Sequence, residues 1–304
     1  MQIIYLDENV QFNKEKIVSA IGFFDGLHLG HMKLVDEVIH IANKKGYKKA
    51  LMTFDHHPLY VLGKIDTEYH ITSMDDRIHL LEEKGIDYLF IICFTKEVSQ
   101  TSYKDFIKRY LLNLHIVHVV CGFDFHFGSK NEGDCFKLKD HDPSLLQVSI
   151  IDEVLYQEKK VSSTRLREAI EEGNMELTTI LLGRHYTIHG EVIEGRKIGR
   201  QLGFPTANID YSSYLLPKRG VYAVYVFINH KKYLGMCNIG YNPTVGILPQ
   251  KSVEVNIFDF DEDIYGIDIS LSFLKMIRGE WHFQTKEELI RQLNKDKKSI
   301  KDNF

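Results

Sequence analysis

Between Ile17 and Cys121 the chain alternates short apolar runs with segments of helical periodicity, and this alternation constrains the fold more than any other feature. The strand-like runs are Ile17–Phe23, Lys49–Phe54, Tyr88–Phe94 and Val117–Cys121. Between them, His31–Lys45, Asp75–Lys84 and Tyr103–Leu112 carry helical patterns. Strands that each return through a helix predict a parallel sheet with helices on its faces. Ligands of such sheets bind beyond the carboxyl ends of the strands. Three polar motifs fall at those ends: Asp25 to His31, Asp55-His56-His57-Pro58, and Gly122 to Gly128.

After Gly183-Arg184 the texture changes to alternating, β-branched runs broken by Gly and Pro: Gly220–Ile228, Lys232–Met236, Val253–Phe258 and Ile267–Leu274. That pattern predicts an antiparallel sheet or small barrel. Lys286 to Leu293 reads as a closing amphipathic helix, and the Lys-rich tail after Leu293 as a solvated, frayed end. A helical segment from Arg165 towards Leu181 precedes the change, so the expected domains are 1–182 and 183–304. A chain of 304 residues with 44% hydrophobic and 26% charged residues fits two ordinary globular domains.

A net charge of −4 speaks against a general nucleic-acid footprint, so the anion to be bound is expected to be small. Cys93, Cys121, Cys135 and Cys237 are scattered, without a Cys-x-x-Cys pair, and read as reduced thiols rather than a zinc site. With no signal pattern and no apolar run approaching about 18 residues, the expectation is a cytoplasmic protein without membrane contact.

Gly22-Phe23-Phe24-Asp25-Gly26-Leu27-His28-Leu29-Gly30-His31 follows the first strand-like run and opens a helix. A small-residue turn before a helix N-terminus offers N–H groups to an anion, and two imidazoles three residues apart suit transfer of a nucleotidyl group. A lone histidine here would be an ordinary satisfied polar residue. Val161-Ser162-Ser163-Thr164-Arg165-Leu166-Arg167 is a second candidate phosphate site, although Ser-Ser-Thr alone is also just a good helix cap.

In the second half, the run from Gly190 to Asn208 is too Gly-rich and basic to read as a buried strand. Its glycines permit close approach to phosphates, and Thr206 and Asn208 could offer neutral oxygens to Mg²⁺. Glu254 is the candidate carboxylate to orient a primary alcohol and accept its proton. Strand alternation puts it on one face with Asn256, opposite Val253 and Val255. Any half-exposed strand shows such a polar face.

Four motifs in order carry a resemblance over almost the whole chain: Gly22 to His31, Thr53-Phe54-Asp55-His56-His57-Pro58, Gly122 to Gly128, and Ser162 to Arg167. The chain resembles the bacterial bifunctional riboflavin kinase/FAD synthetase family. Gly190 to Asn208, Gly220-Val221-Tyr222, Asn238 to Thr244 and Val253-Glu254 extend the resemblance through the second half. It implies a Rossmann-like nucleotidyltransferase domain that adenylylates FMN to FAD. It also implies a small antiparallel β-barrel with a C-terminal helix that phosphorylates riboflavin to FMN.

The resemblance further implies ATP as co-substrate with Mg²⁺ as cofactor. Riboflavin, FMN and FAD are then the other ligands, and the expected state is a monomer or weak homo-oligomer. By resemblance His28 and His31 stabilise the α-phosphate. Gly22, Phe24, Asp25, Gly26, Ser163, Thr164 and Arg167 bind nucleotide in the first domain, as Gly195, Gly199, Arg200 and Thr206 do in the second. Asp124, Phe125 and Phe127 are the implied flavin residues of the first site, and Asn238, Gly240 and Thr244 of the second.

Three positions depart from the family pattern: His56 replaces a usual proline, His126 a frequent arginine, and Asn256 a usual histidine. Two rivals are a synthetase whose barrel lacks kinase turnover and a flavin sensor without chemistry.

Overall fold

The computed structural model describes all residues except 7–14, 196–198, 200, 201, 212 and 242–250. The chain divides into two compact units, Met1–Ser162 and Ser163–Phe304.

The first unit is built on β1 (Gln2–Leu6), β2 (Ile17–Ile21), β3 (Lys48–Phe54), β4 (Tyr88–Ile92), β5 (Ile116–Gly122) and β8 (Gln147–Ile151). Its order is β1-β4-β3-β2-β5-β8, and every pair is parallel. Two-residue ribbons, β6 (His126–Phe127) with β7 (Gly133–Asp134) and β9 (Leu155–Tyr156) with β10 (Lys159–Lys160), occupy the connections.

All five residues of β2 are buried, as expected of a central strand covered on both faces. Ile17 and Ile21 enter one core, while Val18 and Ala20 enter the other. The helix α1 (Leu29–Lys45) covers the second face with Leu34, Val35, Val38, Ile41 and Ala42, a helical stripe. Short α2 (Pro58–Val61) follows β3, and α3 (Met74–Glu83) starts at a reciprocal capping box between Ser73 and Asp76. The segment expected as one helix after Tyr103 is a single turn, α4 (Tyr103–Phe106), running into a π-helical turn at Ile107–Leu111. Next comes α5 (Cys135–Lys139), capped by the Asp134 carboxylate.

The second unit opens with α6 (Ser163–Glu172) and α7 (Met175–Leu182). The barrel comprises β11 (Tyr186–Ile193), β12 (Ala207–Asp210), β13 (Gly220–Ile228), β14 (Lys231–Tyr241), β15 (Lys251–Ile257) and β16 (Asp268–Arg278). It closes in the order β11-β12-β15-β14-β13-β16, antiparallel throughout. Part of the Gly-rich run therefore lies in strands, because β11 and β12 take its two ends into the barrel wall.

Both α6 and α7 pack on this barrel. The Lys218 N–H donates to the Ile170 carbonyl at 3.3 Å, and Lys275 pairs with Glu176 at 2.8 Å. For this reason the packing division falls at Ser163, ahead of the expected Leu182/Gly183 boundary.

The expectation of a frayed tail is corrected. A single helix runs from Lys286 to Asn303, with Ile300 fully buried against a cluster containing Val221, Ala223, Met236 and Phe258. One turn before it, Asp296 is buried and accepts from Arg278 Nε at 2.8 Å. A strongly charged stretch thus hides one apolar and one ion-paired position on its inner face.

Candidate functional sites

The turn after β2 carries positive φ at Phe24 (53°) and Leu27 (41°), angles that non-glycine residues rarely adopt and that recur at functional turns. Both side chains are buried, which holds the turn in place. His28 is the N-cap of α1, with extended backbone, and its Nδ1 accepts the His31 N–H at 3.3 Å. An imidazole that accepts through Nδ1 carries its proton on Nε2, so the cap also fixes the tautomer. His31 lies in the first turn, and the two rings stack at 3.7 Å and 12°. The pair meets by stacking across the helix start, not along a regular helix face.

Burial holds the His31 imidazole well below its usual pKa. His28, Arg77 and Lys160 push in the same direction. The ring is neutral at pH 7, and its Nδ1 is buried without a hydrogen-bond partner among the described residues. In this structure it is a hydrogen-bonding group rather than a cation.

Phe24 and Asp25 support the turn from beneath. The Phe24 ring meets His31 edge-on at 5.2 Å. The buried Asp25 carboxylate accepts from the Ile71 and Thr72 N–H groups at 2.9 and 3.2 Å. The Phe23 carbonyl accepts from Thr53 Oγ1 at 2.9 Å and from Arg77 Nη1 at 3.1 Å. Arg77 is almost wholly buried and also donates through Nε to the Thr72 carbonyl. It was not singled out from sequence. The available signal was a charged residue three positions into the apolar stripe Met74, Ile78, Leu81.

In the Gly122–Gly128 motif, Asp124 is exposed and ion-paired with Lys160, whose ammonium also lies 4.8 Å from the Phe123 ring centre. Phe125 is half-buried and stacks on Phe127 at 5.4 Å. Phe127 itself is in the core against Phe106, so what it offers is packing beneath Phe125. His126 is exposed and bonds the Asp124 carbonyl at 2.9 Å. At a second departure from the family pattern, His56 bonds Glu68 at 2.8 Å. That imidazole and the His57 N–H help hold the Glu68 carboxyl below its usual range, against the opposing effect of burial.

Ser163, Thr164 and Arg167 lie on the first turns of α6, in the second unit. Ser163 and Arg167, four residues apart, are neighbours on the helix surface and both half-buried; Thr164 is exposed, and Leu166, Ala169 and Ile170 are buried.

The barrel brings its own candidates together. Asn208 on β12, Glu254 on β15 and Asn238 on β14 are direct cross-strand partners, so their side chains stand in one row on one face. Thr206 Oγ1 donates to Glu254 Oε2 at 3.4 Å. Two glycines press against this row. A Cβ on Gly195 would fall 1.9 Å from Asn208 Nδ2, and one on Gly199 would fall 2.3 Å from the Phe204 carbonyl oxygen and 3.2 Å from Thr206 Oγ1. Gly240 lies beside Asn238, where a Cβ would be 3.2 Å from Nδ2. Arg200 and Thr244 lie outside the described residues.

The FAD synthetase family model matches residues 10–165, and the riboflavin kinase model matches residues 182–304. A bifunctional riboflavin kinase/FMN adenylyltransferase of Bacillus subtilis is 40% identical over 95% of this chain and 92% of its own. One of Listeria monocytogenes is 40% identical over 100% and 98%. A crystal structure of a macrolide-efflux protein from Streptococcus pneumoniae superposes with a TM-score of 0.92 at 31% identity, covering 99% of both chains. Among the described residues no helix of this chain is long and apolar enough to cross a membrane.

These matches define a class in which an FAD synthetase domain is joined to a riboflavin kinase domain, both using ATP. By identity and coverage, the chain belongs to the bifunctional riboflavin kinase/FMN adenylyltransferase family.

Proposed function

We propose that the barrel phosphorylates riboflavin at the Thr206–Glu254 row and that the α/β unit adenylylates FMN at the stacked histidines. The observation that carries this reading is that the stacked histidines and the Thr206–Glu254 row fall in different units, each matched by its own family model.

In the kinase step the half-buried Glu254 carboxylate accepts the proton of the flavin's primary hydroxyl. That oxygen attacks the γ-phosphorus of ATP, and ADP leaves. Thr206 and Asn208 fit a hard divalent cation, since both present neutral oxygens beside a carboxylate. A Mg²⁺ ion held there would neutralise charge on the nucleotide phosphates. Asn238 and Gly240 line the flavin side of the row.

In the second step an FMN phosphate oxygen attacks the α-phosphorus of a further ATP, and pyrophosphate leaves. His28 Nε2–H and His31 serve as hydrogen-bonding groups at the α-phosphate. The backbone of Gly22 and Gly26 faces the nucleotide, while Phe24 and Asp25 brace the turn. Asp124 and Phe125 meet the flavin, with Lys160 paired to Asp124. Ser163, Thr164 and Arg167 take the triphosphate, on the strength of their motif.

We keep the functional boundary at Leu182/Gly183; the riboflavin kinase match, which covers residues 182–304, supports it. Four free thiols support a reducing, cytoplasmic location. Incubating the protein with riboflavin, ATP and Mg²⁺, and following FMN and FAD by chromatography, tests the reading. FMN must rise first and FAD follow. FAD formed only from supplied FMN would leave a synthetase with an inert barrel.

A further inference from the structure

Asn256 shares the face of Glu254 on β15. Only 5% of its surface is exposed. Its Nδ2 donates to the Pro205 carbonyl at 2.6 Å, whereas its Oδ1 is buried without a hydrogen-bond partner among the described residues. The amide cannot be turned over, because that would set two oxygens 2.6 Å apart. A buried, unsatisfied carbonyl carries the full desolvation penalty of its oxygen. The neighbourhood would accept an apolar side chain instead. Asn256 is the direct cross-strand partner of Met236, which packs with Phe204 and Phe258. Stability alone therefore disfavours an amide at this position.

What the amide holds is the peptide leading into Thr206. Pro205 precedes Thr206, and the same short segment is gripped from the other side by Gly199. The Gly199 carbonyl accepts the Phe204 N–H at 2.9 Å, and Gly199 lies against the Phe204 oxygen and Thr206 Oγ1. With both grips in place, the Thr206 hydroxyl reaches Glu254.

We infer that Asn256 is a positioning residue of the kinase site: its Nδ2–H···O=C bond to Pro205 sets Thr206 against Glu254, at a cost in stability. This rests on the proposed role of the Thr206–Glu254 row. The histidine usual in the family can supply the same N–H donor, so the departure at 256 conserves the donor and changes its carrier.

The test is Asn256→Leu in the full chain, with adenylylation of supplied FMN as the internal control of folding. The kinase kcat should fall about tenfold or more, as expected for a misplaced reacting group. Binding of Mg·ADP, measured by calorimetry, should weaken in parallel. The melting temperature of the barrel should stay level or rise. Asn256→His should recover most of the rate. A Leu variant that keeps both its kinase rate and its Mg·ADP affinity overturns the inference.

If Leu proves poorly folded, Asn256→Ala takes its place. An Ala variant whose kinase loss matches its loss of folded protein, with no rescue by His, assigns Asn256 a purely structural role. The underlying reading is tested separately by Glu254→Gln. An active Gln variant removes Glu254 as the base whatever Asn256 does, while an inactive one beside an unaffected Leu variant overturns only the role of Asn256.

Discussion

The two units handle phosphate chemistry with opposite arrangements of charge. At the helix start of the α/β unit, burial suppresses charge: His31 is neutral, His28 is committed to capping, and Arg77 is spent largely on the carbonyls of Phe23 and Thr72. In the barrel a half-buried carboxylate stands in a row of amides and a hydroxyl. The difference follows from the two reactions. FMN brings its own anionic nucleophile, so its site needs oriented donors and no base. Riboflavin brings an alcohol, which must lose a proton, so its site needs a carboxylate.

The sharpest way to break this contrast is Glu254→Gln. Removing the proposed base should cut FMN formation by about 10²–10⁴-fold, the usual range for general-base catalysis, and leave adenylylation of supplied FMN unchanged. Radiolabelled ATP with riboflavin as the sole flavin reads the kinase step directly. Retention of most of the rate would show that both sites work by orientation alone.

His31→Ala should have the next largest effect. Loss of one oriented contact in a dry site costs about 2.7–4 kcal/mol, so adenylylation should fall about 10²–10³-fold while the kinase rate holds. Because His31 is already neutral at pH 7, its ionisation should leave no step in the adenylylation rate near pH 6.5. Equal loss of both activities in folded protein would mean that the two sites are not separable.

Much of this contrast was legible from sequence, since residues proposed to meet phosphate or alcohol must be particular chemical types at fixed spacing. His28, His31, Thr206, Asn208 and Glu254 are the candidates found in this way, and β2, β3, β4 and β5 announce themselves as apolar runs. What escaped were residues whose role depends on a distant partner. Arg77 looks like one charge on a helix until the Phe23 carbonyl is placed beside it. Lys160 looks solvated until Asp124 is. The edge strands β1 and β8 escaped because sheet edges are only partly covered; the burial of β1 reaches completion only at Leu6. Tertiary packing also turned the charged tail into ordered helix through Asp296 and Ile300.

That tail gives a smaller effect. Ile300 is fully buried in the cluster joining the C-terminal helix to the barrel. Ile300→Ala should cost about 2–4 kcal/mol of barrel stability, the range for truncating a buried aliphatic side chain. Calorimetry should show one transition lowered and the transition of the α/β unit unmoved. A change confined to the α/β transition would contradict the assignment of the tail to the barrel.

The smallest expected effect separates the units by acid sensitivity. His118 on β5 is 8% exposed, bonds Ser149 at 2.9 Å and lies 3.4 Å from the Lys45 ammonium. Burial, and then Lys45, pushes its pKa down to about 4 from 6.5. The folded state therefore binds fewer protons than the unfolded chain between those values. The stability this imidazole contributes is present above pH 6.5 and is lost as pH falls towards 4. Between pH 6.5 and pH 5 the loss should be about 2 kcal/mol. His31 acts in the same direction. The barrel's corresponding group, His185, is exposed and so is a weaker counterpart. Melts at pH 7, 6 and 5 should thus show the α/β transition falling faster than the barrel transition, and His118→Gln should flatten that slope. A barrel transition that falls as steeply would show that the contrast between a charge-suppressing unit and a charge-using one does not extend to stability.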